Sequence, residues 1–184
     1  TGTITVTPSY TNAGGTCTGT PTTFTITVNP IPTVNAVSNQ VVCNNTATAA
    51  VNFTGAVAGT VYSWTNNNTS IGLAAAGTGN IASFTATNAT ATVQTATITV
   101  TPTYTNGGTT CTGTAITFTI TVNPTPSVNV IANQTVCNGT STTAVTITGP
   151  VAGTVYSWTN NNTNIGLAAS GTATVPSFTA INTG

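Results

Sequence analysis

The chain matches itself at an offset of 94 residues without a gap: residues 1–90 lie over residues 95–184, and 63 of those 90 positions are identical. The shared runs include TITVTP (3–8 and 97–102), CTGT (17–20 and 111–114), TFTITVNP (23–30 and 117–124) and YSWTNNNT (62–69 and 156–163). A period this long is not a solenoid coil, in which one supersecondary unit of about 20–45 residues stacks on the next. It is close to the roughly 100 residues of a small immunoglobulin-like sandwich. Duplication of a whole domain accounts for it, so the repeat predicts tandem domains.

Inside the repeat the apolar residues alternate with threonine. Ile98, Val100 and Tyr104 fall on one face of their run, with Thr97, Thr99, Thr101 and Thr103 on the other; Phe118, Ile120 and Val122 likewise alternate with Thr117, Thr119 and Thr121. Period-two alternation marks half-buried strands, and the Gly- and Asn-rich residues 105–114 between the two runs predict a hairpin with a long loop. Further strands are predicted at 33–42, 50–54, 60–64, 71–74 and 81–86, each bounded by Gly, Asn or Pro. Seven short strands with no helical period predict an all-β sandwich. Pro102 suits an edge or a bulge near the end of its strand.

The proline pairs in Asn29-Pro30-Ile31-Pro32 and Asn123-Pro124-Thr125-Pro126 make short, stiff joints. They divide the chain into the last two strands of one repeat (1–30), a complete repeat (31–124) and the N-terminal part of the next (125–184). The two end pieces are complementary and together supply 90 of 94 positions. Two explanations fit: a window on a longer continuous chain, or donor-strand exchange, in which residues 1–30 of one chain complete residues 125–184 of the next by β-strand addition.

The chain has no Lys, Arg, Asp, Glu or His. General acid–base catalysis needs a side chain that titrates near the working pH, hard cations need carboxylate oxygens, and zinc needs clustered Cys, His or carboxylates. The four cysteines lie 26 or more residues apart. Neither an enzyme, a metal site nor any other cofactor is expected. Nucleic-acid binding and attraction to anionic membranes draw on Lys and Arg, so neither partner is expected. The apolar runs are far shorter than the ~20 residues of a membrane-spanning helix. With no Met and no basic-then-apolar leader at Thr1, any export signal is expected to lie elsewhere. With 39% apolar residues in ordered alternation the chain reads as folded. Its solubility rests on 51 Thr and 22 Asn. A surface without net charge lacks the repulsion that keeps molecules apart, so self-association is expected.

An even cysteine count in a chain of this character points to an oxidising compartment. Domains ending at the proline joints place Cys43 and Cys111 together as the expected disulfide, with Cys17 and Cys137 pairing outside the complete domain. The alternative links Cys17 to Cys43 and Cys111 to Cys137 across the joints. Tyr62 and Trp64, and Tyr156 and Trp158, share one face of a strand and are expected in the core with Phe118 and Ile120. The alternative for the tryptophans is a sugar-stacking platform. Asn66, Asn67, Asn68 and Tyr104, with the matching Asn160–Thr163 and Tyr10, are the candidate ligand contacts through neutral hydrogen bonds and stacking.

With YSWTNNNT after a Gly-Thr-Val turn and CTGTxxTFTITVNP closing each unit, the sequence resembles the PKD-like immunoglobulin-fold repeats of very large bacterial surface proteins. The resemblance implies adhesins of gliding, type IX-secreting bacteria, and hence export to the cell surface or medium. Where better-known PKD domains follow the Trp with an acidic, Gly-containing turn, this chain has Thr65, Asn66, Asn67 and Asn68. The expected function is a non-catalytic spacer, scaffold, filament or adhesin stalk; the alternative is a carbohydrate-binding adhesion module. Ranks of outward threonine also resemble ice-binding faces, but a twisted sandwich presents no flat array.

Overall fold

The computed structural model describes residues 1–183. The first piece contains β1 (Gly2–Val6), β2 (Ser9–Asn12), β3 (Gly15–Thr18) and β4 (Thr22–Ile26). The central repeat contains β5 (Gln40–Cys43), β6 (Val61–Asn66), β7 (Ala76–Thr78), β8 (Gln94–Asn106), β9 (Thr109–Thr112) and β10 (Ile116–Asn123). The last piece contains β11 (Val145–Thr146), β12 (Ser157–Thr159), β13 (Ser170–Thr172) and β14 (Thr174–Val175). The fold is all-β, in tandem immunoglobulin-like sandwich repeats.

The central repeat is built on a six-stranded sheet in the order β5-β10-β8-β6-β7, with β9 also pairing β8. β5 runs parallel to β10, and the other pairs are antiparallel. The alternation in β8 and β10 does what a pleated strand requires. Ala96, Ile98, Val100, Phe118, Ile120 and Val122 are buried while their threonine neighbours stay partly exposed. Each enclosed Ile or Val side chain contributes roughly 1.5–3 kcal/mol.

Pro102 sits within the central strand β8, opposite Tyr62. Its carbonyl accepts from Gly113 N at 2.9 Å, and in an extended strand the missing N–H would point to that same side. There the ladder is interrupted, because β10 pairs up to Val100 and β9 begins at Thr103. The proline therefore occupies a break in the pairing.

The second layer is less regular than the sequence suggests. Segments 50–54 and 81–86 meet only through the single bridge Val51 to Ile81, and residue 85 bridges Ala47. Side chains complete the pairing: Thr48 Oγ1 accepts from Phe84 N at 3.1 Å, and Asn80 Oδ1 accepts from Phe53 N at 2.9 Å. Residues 71–74 do not form a strand. Thr69–Ile71 is a 3-10 turn whose N-cap Asn68 accepts from Ser70 N and whose C-cap Gly72 has φ 93°, a left-handed geometry that suits glycine. Of 33–42 only Gln40–Val42 joins the ladder, and β7 has no counterpart among the predicted strands.

The cysteine pairing expected within the repeat does not form. Cys43 lies opposite Asn123 at one end of the sheet, and Cys111 lies opposite Tyr104 near the other end of β8. At about 3.3 Å per residue their separation is roughly 35 Å, whereas a disulfide needs Cα atoms within about 7 Å. The cross-joint alternative also fails inside one chain. Cys17 pairs with Tyr10 toward the far tip of the first hairpin, and Cys43 sits a whole sheet beyond the joint. All four thiols are free.

Candidate functional site

The three asparagines after Trp64 hydrogen-bond to the chain itself, although only Asn66 is buried. Asn66 is buried; its Nδ2 donates to Leu73 O at 3.0 Å and Ala74 O at 3.2 Å, and its Oδ1 accepts from Asn68 N at 2.9 Å. Asn67 Oδ1 accepts from Thr97 N at 2.7 Å, pinning the loop to β8. Asn68 Oδ1 accepts from Ser70 N and Ser70 Oγ, and its Nδ2 donates to Gln94 Oε1 and Thr95 O. Asn68 caps the turn, while Asn66 and Asn67 tie it to neighbouring segments of the chain. Asn160 and Asn162 repeat the arrangement in the last piece. Tyr104 is half-buried beside Gly59, and only Tyr10 is broadly exposed.

The tryptophans offer no open platform in the central repeat. Trp64 is buried with its ring laid over Gly77 on the neighbouring strand, where a Cβ would fall within 2.7 Å of Cε2. Tyr62 packs against the core with its ring 5.8 Å from that of Phe53, and the ring of Phe118 is 6.5 Å from that of Phe53. Trp64 Nε1 is buried without a partner, while Trp158 Nε1 donates to Thr174 O at 3.1 Å. Tyr156 and Trp158 are half-buried.

The exposed chemistry lies on the two end pieces. In the first, β1 and β4 pair in the same register as β8 and β10: Gly2 faces Ile26 as Ala96 faces Ile120, and Val6 faces Thr22 as Val100 faces Ile116. Near-identical strands have opposite environments. Phe24 is 51% exposed against 2% for Phe118, and Ile26 is 53% exposed against 0% for Ile120. In the last piece the pairing that depends on such a hairpin is missing. β12 has three residues where β6 has six, and 134–137 form no strand where β5 lies in the central repeat. Beneath them is an open cleft of about 570 Å³ lined by Val136, Thr142, Ile165, Val175, Phe178 and Ile181. Ile165 is 37% exposed, while its counterpart Ile71 is fully enclosed.

The joints carry specific contacts. Asn29 Nδ2 donates to Asn106 O and Thr109 O, and Asn106 Nδ2 donates to Asn29 Oδ1 at 2.9 Å. At the other end of the central sheet Asn44 Nδ2 donates to Thr125 Oγ1 at 3.2 Å. Among the described residues no group of three or more potential metal-ligating side chains comes together.

This arrangement of sheet, turn and core is matched at the level of sequence families, where residues 37–126 fit the PKD-like domain. The repeat has a PKD-like fold. A search of curated proteins finds no match to the chain. Around this PKD-like repeat, the joint asparagines mark its two ends and the bare apolar faces lie on the pieces that flank it. Of the joint asparagines only Asn29 stands beside a proline, and Asn44 and Asn106 carried no signal in the sequence. The bare faces were signalled by the repeat phase, which leaves each end piece short of strands.

Proposed function

We infer that the chain is a non-catalytic structural part of an extracellular filament, stalk or adhesin, in which PKD-like repeats act as spacers along a thread. The observation that carries this reading is the joint. Successive repeats meet end to end at opposite ends of the central sheet, each joint holding two prolines and a hydrogen-bonded clasp, Asn29 with Asn106 on one side and Asn44 with Thr125 on the other. A chain built to catalyse or to capture a ligand would spend its polar side chains on a cleft, whereas Asn66, Asn67 and Asn68 are consumed in holding a turn. That weighs against the carbohydrate-binding alternative. No helix among the described residues is long and apolar enough to cross a membrane.

The test is immunogold electron microscopy of the producing cells and their medium. Thin labelled threads with a beaded axial period of about 40–45 Å, the length of a 13-residue strand, are expected. Label confined to the cell interior, or to dispersed globular monomers in the medium, overturns the reading.

A further inference from the structure

We propose that Asn106 is a self-modifying site guarded by the joint. While its side chain is clasped to Asn29 the residue persists; once the joint opens, Asn106 and Gly107 cyclise with loss of ammonia, leaving a carboxylate that keeps the clasp from re-forming. The inference depends on the geometry of one joint and holds whether or not the repeats serve as spacers.

Asparagine followed by glycine is the pair in which this chemistry meets least obstruction, because the attacking nitrogen has no Cβ beside it. The sequence holds two such pairs, Asn106-Gly107 and Asn138-Gly139. Asn106 ends β8 and is exposed, and Gly107 and Gly108 make the turn to β9 with φ 56° and 76°, the left-handed pair of a two-residue hairpin. Among the described residues Gly107 N donates to no backbone carbonyl, and the space beside its Cα is open. In the reaction Gly107 N attacks Cγ of Asn106. The N–Cγ bond forms as the Cγ–Nδ2 bond breaks, and Nδ2 leaves as ammonia with the proton from Gly107 N. Water, the only co-reactant, then opens the five-membered ring at either carbonyl. The product is aspartate or isoaspartate, whose acidic proton goes to solvent.

The clasp stands in the way of ring closure. Asn106 Nδ2 donates to Asn29 Oδ1 at 2.9 Å, while Asn29 Nδ2 donates to Asn106 O at 3.0 Å and Thr109 O at 3.4 Å. The carboxamide is thereby held against the joint, and it can swing onto its own turn only when Asn29 lets go. Asn12 shows the released posture. It occupies the same hairpin position in the first piece, and its side chain bonds within its own turn, Oδ1 accepting from Ala13 N at 2.7 Å. There the carboxamide lies against the following amide, as Asn106 must to react, but the methyl group of Ala13 obstructs the attack.

Conversion runs one way. A carboxylate has no hydrogen to give Asn29 Oδ1, and Asn29 can meet it only by turning its own amide away from the carbonyls of Asn106 and Thr109. Isoaspartate also adds a methylene to the main chain at the pair Asn106 and Thr109, which disturbs the register of β8 with β9. Either product puts a negative charge into a chain without a charged side chain.

The test incubates the full chain and its Asn29→Ala variant at mildly alkaline pH, which speeds the attack by removing the proton from the amide nitrogen. Both Asn-Gly pairs are followed by mass spectrometry of chymotryptic peptides, and the new charge by isoelectric focusing. Asn138 is the internal reference, because its Oδ1 accepts from Asn182 N at 2.9 Å within the last piece and makes no use of Asn29. Acid is expected at residue 106 of the unaltered chain. Asn29→Ala is expected to raise its rate roughly 2–10-fold, the change in open population that the loss of one hydrogen bond brings, with the rate at residue 138 unchanged. No acid at residue 106 in either chain, equal rates there in the two chains, or the same acceleration at residues 106 and 138 would each overturn the proposal.

Discussion

The near-identity of the repeats makes one comparison unusually clean: the same phenylalanine, in the same TFTITVNP run, removed from two environments. Phe118 lies in β10, 2% exposed, and contacts Phe53. Its replacement by alanine removes a buried ring and leaves a cavity, which costs about 3–5 kcal/mol. Phe24 is half exposed on the first hairpin and is not a member of the central core cluster. Its replacement should change the stability of the central repeat by less than about 0.5 kcal/mol. The assay is urea unfolding followed by tryptophan fluorescence in a Trp158→Phe background, which leaves Trp64 as the only indole, at a concentration too low for association. With a denaturant slope of about 1–1.5 kcal/mol/M for a small domain, Phe118→Ala should lower the midpoint by roughly 2–5 M or unfold the repeat outright. Phe24→Ala should leave the midpoint where it was. Equal shifts would refute the reasoning, since they would mean that the hairpin of residues 1–30 packs into the same core as β10.

Gly77→Ala places a methyl group in the ring of Trp64; overpacking should cost about 1–3 kcal/mol, read as a lower thermal midpoint, and an unchanged midpoint would show that the indole has room to move. Asn88 is buried, with Nδ2 donating to Thr92 O at 2.8 Å and Val122 O at 2.9 Å; Asn88→Ala removes both bonds and should cost about 1–3 kcal/mol in chemical denaturation. With no side-chain carboxylate, imidazole or amine in the sequence, proton uptake hardly differs between folded and unfolded chains across the middle of the pH range. Calorimetric midpoints should therefore agree between pH 4 and pH 8, and a drift of several degrees would contradict this. Thiol-specific labelling of the native protein should reach all four cysteines, which the structure leaves free. Peptide mapping that finds Cys43 joined to Cys111 within one repeat would contradict the sheet topology.

What the sequence disclosed follows the strength of its periodicity. β8 and β10 were legible because Ile98, Val100, Phe118, Ile120 and Val122 alternate strictly with threonine, and the structure buries all five. The opposite layer was only partly legible, because its pairing at Phe53 and Phe84 runs through the side chains of Asn80 and Thr48 rather than through a continuous ladder. Ile71 and Leu73, both buried at a spacing of two, imitate a strand, yet Asn68 and Gly72 cap a helical turn there. The same economy hid the role of Asn66 to Asn68, since a run of amides beside an aromatic looks the same from sequence whether it serves a ligand or a turn. Cysteine spacing gave no guide to pairing, because sequence distance says nothing about which end of a sheet a strand begins on.

The parallel pairing of β5 with β10 has a mechanical consequence. β5 is the first strand of the repeat and β10 the last, and they lie side by side over Gln40–Cys43 and Ile120–Asn123. Tension applied through the two proline joints pulls β5 backward and β10 forward along their common axis. Their hydrogen bonds are then loaded together in shear instead of being peeled one at a time. A thread of such repeats should resist extension until a whole strand pair yields at once, and then lengthen in steps of one repeat.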